Sequence, residues 1–384
     1  MPHPTPPKPI MQSPPGATTV IDGRRYVYFV GTGYLGLQGR EEVIRAACEA
    51  TEQYGIGSAT SRTGYGNTPP VLDVERRAAE WLGLDDAFFF MSGYVGINIL
   101  VQAAAGTFDA IFVDEASHYC VMEAARATGR PVWSFRHCDV DDLRTVLHKQ
   151  LEPGERPLVL TDGVFAARGD VAPLAQYDRL LADYPGSALG VDDAHGVGVI
   201  GERGRGTFEY AGMFDARINT DQRPGDLPRL FLCGTMSKAV GGYGGIIPGR
   251  QVFIDRLKRT SPYYAGTSPP PVPVAAATAE ALRLIAADPD LRARLHRNVD
   301  LLKRGLSRLG LPTDDTPVPI ACLTIGDAKN MQRIRDELLR QGIVVAYMAA
   351  YSGLPAEGAL RLAVFATHAE AMIERLLDAL QKIL

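Results

Sequence analysis

The sequence predicts an α/β fold: a mainly parallel, doubly wound seven-stranded sheet in a large domain, with a smaller C-terminal α/β domain after it. Three observations predict it. Seven short apolar runs lie between residues 87 and 249. Each is continuously apolar rather than alternating, as strands covered on both faces are. Helical segments separate most of them, so the strands need crossover connections and run parallel.

The elements follow in order. The first fifteen residues, MPHPTPPKPIMQSPP, include seven prolines and almost nothing that can be buried. They read as a flexible arm. TTVIDGRRYVYFV reads as a hairpin turning at Asp22-Gly23. GREEVIRAACEATEQYG has helical spacing and closes at Gly55. From about residue 75 the chain alternates. Helical VERRAAEWLG precedes strand AFFFM (87–91), and helical VGINILVQAAAG precedes strand AIFVD (110–114). A helix through VMEAARATG leads to strand VWSFRH, then helical DLRTVLHKQL to strand PLVLTDGVF (157–165). YDRLLADY leads to ALGVDDAH (188–195), and RLFLCGTM (229–236) with GGIIPG (244–249) completes the sheet. From about residue 285, helix DLRARLHRNVDLLKRGLSRLG, strand IACLTIG and a further helix, strand and helix read as the smaller domain. The expected division is an arm and N-terminal segment over 1–45, a large domain over 46–284 and a small one over 285–384. There is no internal repeat.

Composition narrows the function. Of 384 residues, 46% are apolar and 22% charged, enough for a large core under a soluble surface. The net charge of −4 argues against nucleic acid or an anionic membrane as main partner. Apolar stretches break within about ten residues, short of a membrane span. Prolines stand where a secretion signal needs an apolar core. Five cysteines (Cys48, Cys120, Cys138, Cys233, Cys322) show no disulfide or metal spacing, which fits a reducing, cytoplasmic setting.

Three segments carry chemistry. GTMSKAVGGYGG (234–245) sets Lys238 in a glycine-rich turn after a strand. Glycines let backbone approach a ligand, and a partly dehydrated lysine becomes an imine-forming nucleophile. A surface lysine in a mobile loop would read the same. MSGYVGIN (91–98) passes from strand to helix, and the helix's first amides, from Tyr94 on, form an anion site beside Ser92 and Gly93. VDDAHGVG (191–198) ends another strand, with Asp192 and Ala194 on one face and Asp193 and His195 on the other. A carboxylate there holds a protonated ring nitrogen, a bond contributing roughly 1.5–3 kcal/mol. It could equally cap the next turn, and a metal pair lacks a third ligand nearby. Taken together, an anion cradle, a carboxylate and an amine on successive strands match what a phosphorylated pyridine aldehyde requires.

From about Tyr28 to the C-terminus the chain resembles the α-oxoamine synthases among the fold type I pyridoxal-phosphate enzymes, with 8-amino-7-oxononanoate synthases nearest. The stretches that carry this are YLGL (34–37), YGIGSATSR (54–62), SGY (92–94), DEASH (114–118), FRHCD (135–139), TDGVF (161–165), DDAHGVGVIGERGRG (192–206), GTMSKAVGGYGG and TSPPP (267–271). The resemblance implies a pyridoxal 5'-phosphate-dependent C-acyltransferase that condenses a small amino acid with an acyl-CoA thioester, usually with decarboxylation. It implies that Lys238 carries the cofactor and moves protons at the α-carbon, that His118 stacks on the ring, that Asp192 pairs with the ring nitrogen and that His195 lies near the phenolic oxygen. Ser92, Gly93, Tyr94 and Thr235 hold the phosphate side. The resemblance further implies a homodimer with shared sites, in which Thr267 would reach the phosphate in the neighbouring subunit. Arg361, in ALRLAVFATH, grips the substrate carboxylate, which a planar guanidinium does better than an ammonium.

The departures fall around the substrate. Thr32 stands where the family has Asn and is carried over as substrate-binding; Val71 replaces a histidine and Ala166 a serine. Each lost contact changes affinity by about 1 kcal/mol. Cys120 and Cys138 read as buried spectators. Two rival readings remain: another pyridoxal-phosphate reaction at the α-carbon (transamination, racemisation or carbon–carbon lysis), and a non-catalytic partner subunit, against which Lys238 argues.

Overall fold

Asp22 (φ 47°) and Gly23 (φ 77°) both take positive φ, the geometry of a two-residue hairpin turn, so β1 (Thr18–Ile21) folds back on β2 (Arg24–Tyr28). The computed structural model describes residues 9–215, 217–220 and 229–384. The start of the proline-rich arm, residues 1–8, lies outside the described residues. Its remainder is not free. Met11 bridges Ile21, Gln12 N donates to Val20 O, and Ser13 Oγ accepts from Val20 N. The edge of β1 supplies partners that proline content alone does not reveal.

Helix α1 (Glu41–Tyr54) stops at Gly55, and α2 (Pro69–Leu82) starts earlier than its apolar spacing suggests, with proline at its first position, where no amide is needed. The large sheet follows: β3 (Asp86–Phe90), a single 3₁₀ turn at Gly93–Val95, α3 (Gly96–Ala103), β4 (Ala110–Asp114), α4 (Tyr119–Ala127), β5 (Val132–Phe135), α5 (Val140–Gln150), β6 (Pro157–Asp162), α6 (Leu174–Leu181), β7 (Ala188–Asp192), the short α7 (Thr207–Tyr210), β8 (Arg229–Thr235) and β9 (Gly245–Gly249). The order across the sheet is β3-β9-β8-β7-β6-β4-β5. β9 pairs antiparallel with both neighbours, and the other pairs are parallel.

The alternate residues of these strands feed two different cores. Ile111 and Val113 of β4, Leu158 and Leu160 of β6, and Phe231 and Cys233 of β8 pack into one; Phe112, Val159, Leu230 and Leu232 pack into the other. That is why the runs read as continuously apolar.

The outer edge of β3 ends in side chains. Phe89 N donates to Glu75 Oε1 (2.8 Å) and Phe89 O accepts from Arg62 Nη1 (3.3 Å). Arg62 and Glu75 form a bidentate pair with side chains 2% and 4% exposed. Lys258 Nζ adds contacts to Glu75 and Asp86. Charges so buried are tolerated because their polar atoms are paired.

The rest comprises α8 (Gln251–Thr260), α9 (Pro262–Ala265), α10 (Val272–Ala287), α11 (Asp290–Arg308), β10 (Ile320–Leu323), α12 (Ala328–Arg340), β11 (Ile343–Val344), β12 (Ala346–Met348), β13 (Ala359–Ala363) and α13 (Glu370–Ile383). β10, β13 and β12 form an antiparallel sheet, and β11 joins the N-terminal hairpin through β2. No described helix is long and apolar enough to cross a membrane.

Candidate active site

Strands β6, β7 and β8 end in Asp162, Asp192 and Thr235, and their register sets Asp162 beside Asp192 and Asp192 beside Cys233. Ligands of such sheets sit beyond the carboxyl ends of the strands. There a cavity of about 180 Å³ is lined by Ser92, Gly93, Tyr94, His118, Cys120, Asp162, Val164, Ala166, Asp192, Ala194, His195, Thr235, Ser237 and Lys238.

Lys238 lies three residues beyond β8, in a turn tied down at both ends: Met236 N donates to Gly244 O and Gly242 N to Met236 O. Gln38 Nε2 reaches Lys238 O at 3.0 Å. At Gly241 (φ +78°) a Cβ would lie 2.7 Å from Leu37 Cβ, so glycine is required there. The ammonium finds no hydrogen-bond partner among the described residues. Burial draws its pKa below the usual lysine range, against the opposing pull of Asp192 and Asp162.

At the anion cradle, Ser92 Oγ accepts from Tyr94 N at 3.3 Å. Gly93 faces Thr235, whose Cβ would be 2.8 Å from any Cβ added there. Thr235 Oγ1 is held by Ser237 Oγ (2.6 Å) and Gly244 O (2.8 Å). The Tyr94 phenol turns outward to Glu123 Oε2 (2.7 Å).

Alternation along β7 places His195 with Asp193, and the structure differs. The strand stops at Asp192, and a turn in which Gly196 N and Val197 N donate to Asp193 O swings His195 into the cavity beside Asp192. Asp193 points the other way and accepts from Thr207 N (2.6 Å) and Thr207 Oγ1 (2.5 Å). Burial raises its pKa to about 7 despite those bonds. Asp192 Oδ1 accepts from Ala194 N (3.1 Å). Burial takes His195 well below the ordinary histidine range, with Lys238 and Arg361 adding to the effect.

Two further groups enter that sequence reasoning passed over. Asp162 accepts His118 N on both oxygens (3.1 and 3.2 Å), and burial together with Asp192 raises its pKa well above the carboxylate range. The cue was present: β6 and β7 both finish in aspartate. Cys120 is no spectator, because its thiol lies 3.4 Å from Asp192 Oδ2 and 3.0 Å from His118 Nδ1. Burial, then Asp192, raises the thiol pKa, so it stays protonated and donates. His118 caps α4 through Nδ1, and burial lowers its pKa.

Arg361, in β13, is buried against the cavity wall. Nε donates to Ala166 O (2.9 Å), Nη1 to Gly31 O (3.2 Å) and Nη2 to Tyr34 Oη (3.3 Å). Tyr34 Oη is also 2.7 Å from His195 Nδ1. Like Arg361, three other positions singled out in the sequence lie off the cavity lining. Thr32 is half-buried and offers its carbonyl to Tyr34 N. Val71 is fully buried in the core around α2, a packing position. Thr267 is exposed, its hydroxyl donating to Tyr263 O.

A second polar cluster sits at the end of β4. His137 Nδ1 meets Asp114 Oδ1 at 3.0 Å and Nε2 meets Asp170 Oδ2 at 3.1 Å, with the ring edge-on to Phe165. Burial opposes the charge, but the two carboxylates outweigh it and push the pKa to about 12. Ligand atoms of Asp114, His137 and Cys138 lie within 4.8 Å of one another, yet both ring nitrogens are already taken by carboxylates. Cys138, expected to be a buried spectator, is half-buried beside this ring at 3.7 Å.

Comparison with known proteins gives a consistent picture. The profile of the aminotransferase class I and II family matches residues 31–380. The chain is 32% identical to 8-amino-7-oxononanoate synthase of Nitrosococcus oceani, over 98% of this chain and 96% of that one. Serine palmitoyltransferase of Sphingomonas wittichii superposes with a TM-score of 0.87 at 27% identity, covering 98% and 91%. Serine palmitoyltransferase of S. paucimobilis, solved with bound PLP and myriocin, gives 0.87 at 25%, covering 98% and 92%.

Proposed function

We infer the reaction from a fixed premise: this chain belongs to the aminotransferase class I and II family. Within it the chain is an enzyme of the α-oxoamine synthase kind, a pyridoxal-phosphate-dependent C-acyltransferase that condenses a small amino acid with an acyl-CoA thioester. One observation carries the reading. Lys238, Asp192 and the Ser92–Tyr94 cradle converge on one cavity, and Arg361 is bonded to its wall.

The residues present fit the cofactor. An amine of lowered basicity, an in-register strand-end carboxylate and a glycine-backed cradle with hydroxyls suit an aldehyde, a ring nitrogen and a phosphate. When bound, pyridoxal phosphate supplies an electron sink for charge at the amino-acid α-carbon. Lys238 would hold the aldehyde carbon, Asp192 the ring nitrogen, and Ser92, Gly93, Tyr94 and Thr235 the phosphate. His118 would cover the ring face and His195 lie at the phenolic oxygen. Arg361 orients the substrate carboxylate. Lys238 moves the proton at the α-carbon, a role worth about two to four decades in rate. The α-carbon takes the acyl group, coenzyme A leaves as free thiol, and carbon dioxide is lost when the amino acid is not glycine.

The chain functions as a homodimer in this reading, Thr267 reaching the partner's phosphate site. Exposed Tyr94 on the cavity lining, with exposed Met91 and Tyr119 next in the chain to lining residues Ser92 and His118, supports a covered face. The five thiols are all free, which supports a reducing, cytoplasmic setting. Residues 46–284 form the cofactor domain and 285–384 the smaller one. Purified protein incubated with small amino acids and a panel of acyl-CoAs is expected to release free thiol with at least one pair. Absence of release with every pair overturns the acyl-transfer assignment, and conversion of the cofactor to its amine form by amino acid alone would mark a transaminase instead.

A further inference from the structure

Tyr34 stands between two groups of the site that belong to distant parts of the chain. Its hydroxyl is 2.7 Å from His195 Nδ1 and 3.3 Å from Arg361 Nη2, and the residue is fully buried. Hydrogen accounting settles the direction of both bonds. A guanidinium has donors only, so Arg361 donates and Tyr34 Oη accepts. The phenol's own proton then needs an acceptor, since buried polar groups are seldom left unpaired. Among the described residues the acceptor within reach is His195 Nδ1. Burial, with Lys238 and Arg361 nearby, keeps the imidazole neutral, and burial keeps the phenol protonated. A neutral ring that accepts at Nδ1 carries its proton on Nε2.

We propose that Tyr34 is a positioning residue: it ties Arg361 to His195 and fixes His195 as the Nε2–H tautomer, so that one oriented donor faces the cavity. What that donor meets, an anionic oxygen on the cofactor ring, rests on the function proposed above; the tautomer does not. The same hydroxyl sets the plane of Arg361. With Nε on Ala166 O, one Nη1 hydrogen on Gly31 O and one Nη2 hydrogen on Tyr34, two of its five N–H groups remain, one on each terminal nitrogen, for a carboxylate.

The test is the nitrogen spectrum of full-length holoprotein labelled with ¹⁵N-histidine, the His195 signals being identified by their loss in His195→Gln. Wild type is expected to show a pyridine-type Nδ1 and a pyrrole-type Nε2. In Tyr34→Phe both tautomers are expected to populate, with kcat lowered roughly tenfold and KM for the amino acid raised several-fold. A proton on Nδ1 in the wild type, or an unchanged single tautomer in Tyr34→Phe, overturns the proposal. A merely structural Tyr34 would move stability and leave the tautomer alone. Should the variant fail to fold, the wild-type spectrum still decides. Protein stripped of cofactor separates the two readings: an Nε2–H His195 there, in an enzyme that releases no thiol with any substrate pair, sinks the acyl-transfer function and leaves Tyr34's role standing.

Discussion

His195 and His137 both lie just beyond the carboxyl ends of strands of one sheet, and the protein holds one neutral and the other protonated. His195 is buried among cations and touches a phenol, so it is neutral. His137 is partly buried too, but a carboxylate sits on each ring nitrogen, and it stays protonated far above the usual range. Burial pushes both the same way; the atom in contact decides which way each goes. The cavity keeps the His195 ring neutral, with one nitrogen bonded to Tyr34. The His137 cluster spends its ring on joining the end of β4 to the loop after β6.

The sharpest break in this contrast is Lys238→Ala. Thiol release is expected to fall by at least about a thousandfold, while the urea midpoint changes little, because the lysine amine supports no hydrogen bond among the described residues. A marked loss of stability would show the cavity to be structural after all. Next in size, His137→Ala is expected to cost roughly 2–3 kcal/mol of stability, since it strips a partner from the buried Asp114 carboxylate. Urea melts measure it, and a cost near zero would break the comparison.

The pH dependence sharpens the contrast. The folded pKa of His137 lies above its unfolded value near 6.5, so its contribution is full below about pH 6.5 and fades as pH rises toward about 12. For His195 the folded value is lower than the unfolded one, so its contribution is full above about pH 6.5 and is lost as pH falls. The penalty of His137→Asn should therefore shrink from about pH 6 to about pH 9, and that of His195→Gln should shrink from about pH 8 to about pH 5. Parallel slopes in urea melts would contradict the different protonation states of the two rings. Smallest is Cys120→Ala, which removes one thiol donor from Asp192 and should weaken cofactor retention by about 1 kcal/mol or less, with Cys120→Ser restoring it in an equilibrium dialysis.

The fold was legible because strands buried on both sides leave a plain mark: in β4, Ile111 and Phe112 serve different cores, yet both are apolar. Lys238 and Asp192 were legible for a local reason, being chemical residues at strand ends beside glycines. What escaped was set by pairing across the chain. Asp162 meets Asp192 only through strand register, and Tyr34 meets His195 across 161 positions. His195 was assigned to the wrong face because the two-residue period ends with the strand. Arg361 came only through resemblance, since nothing near it in sequence marks it. Thr32 and Val71 could not be placed by identity alone: one contributes a carbonyl, the other packs in the core.

The pair of opposite charges bracketing Phe89 has a consequence for how the molecule behaves in company. A border strand with its amides and carbonyls open to solvent invites another chain to dock and extend the ladder. Here that rung is filled from within by Glu75 and Arg62, so the sheet closes on itself at that rung. Phe89 stands three residues ahead of Ser92, and the rung that bars strangers from the sheet therefore also anchors the approach to the anion cradle.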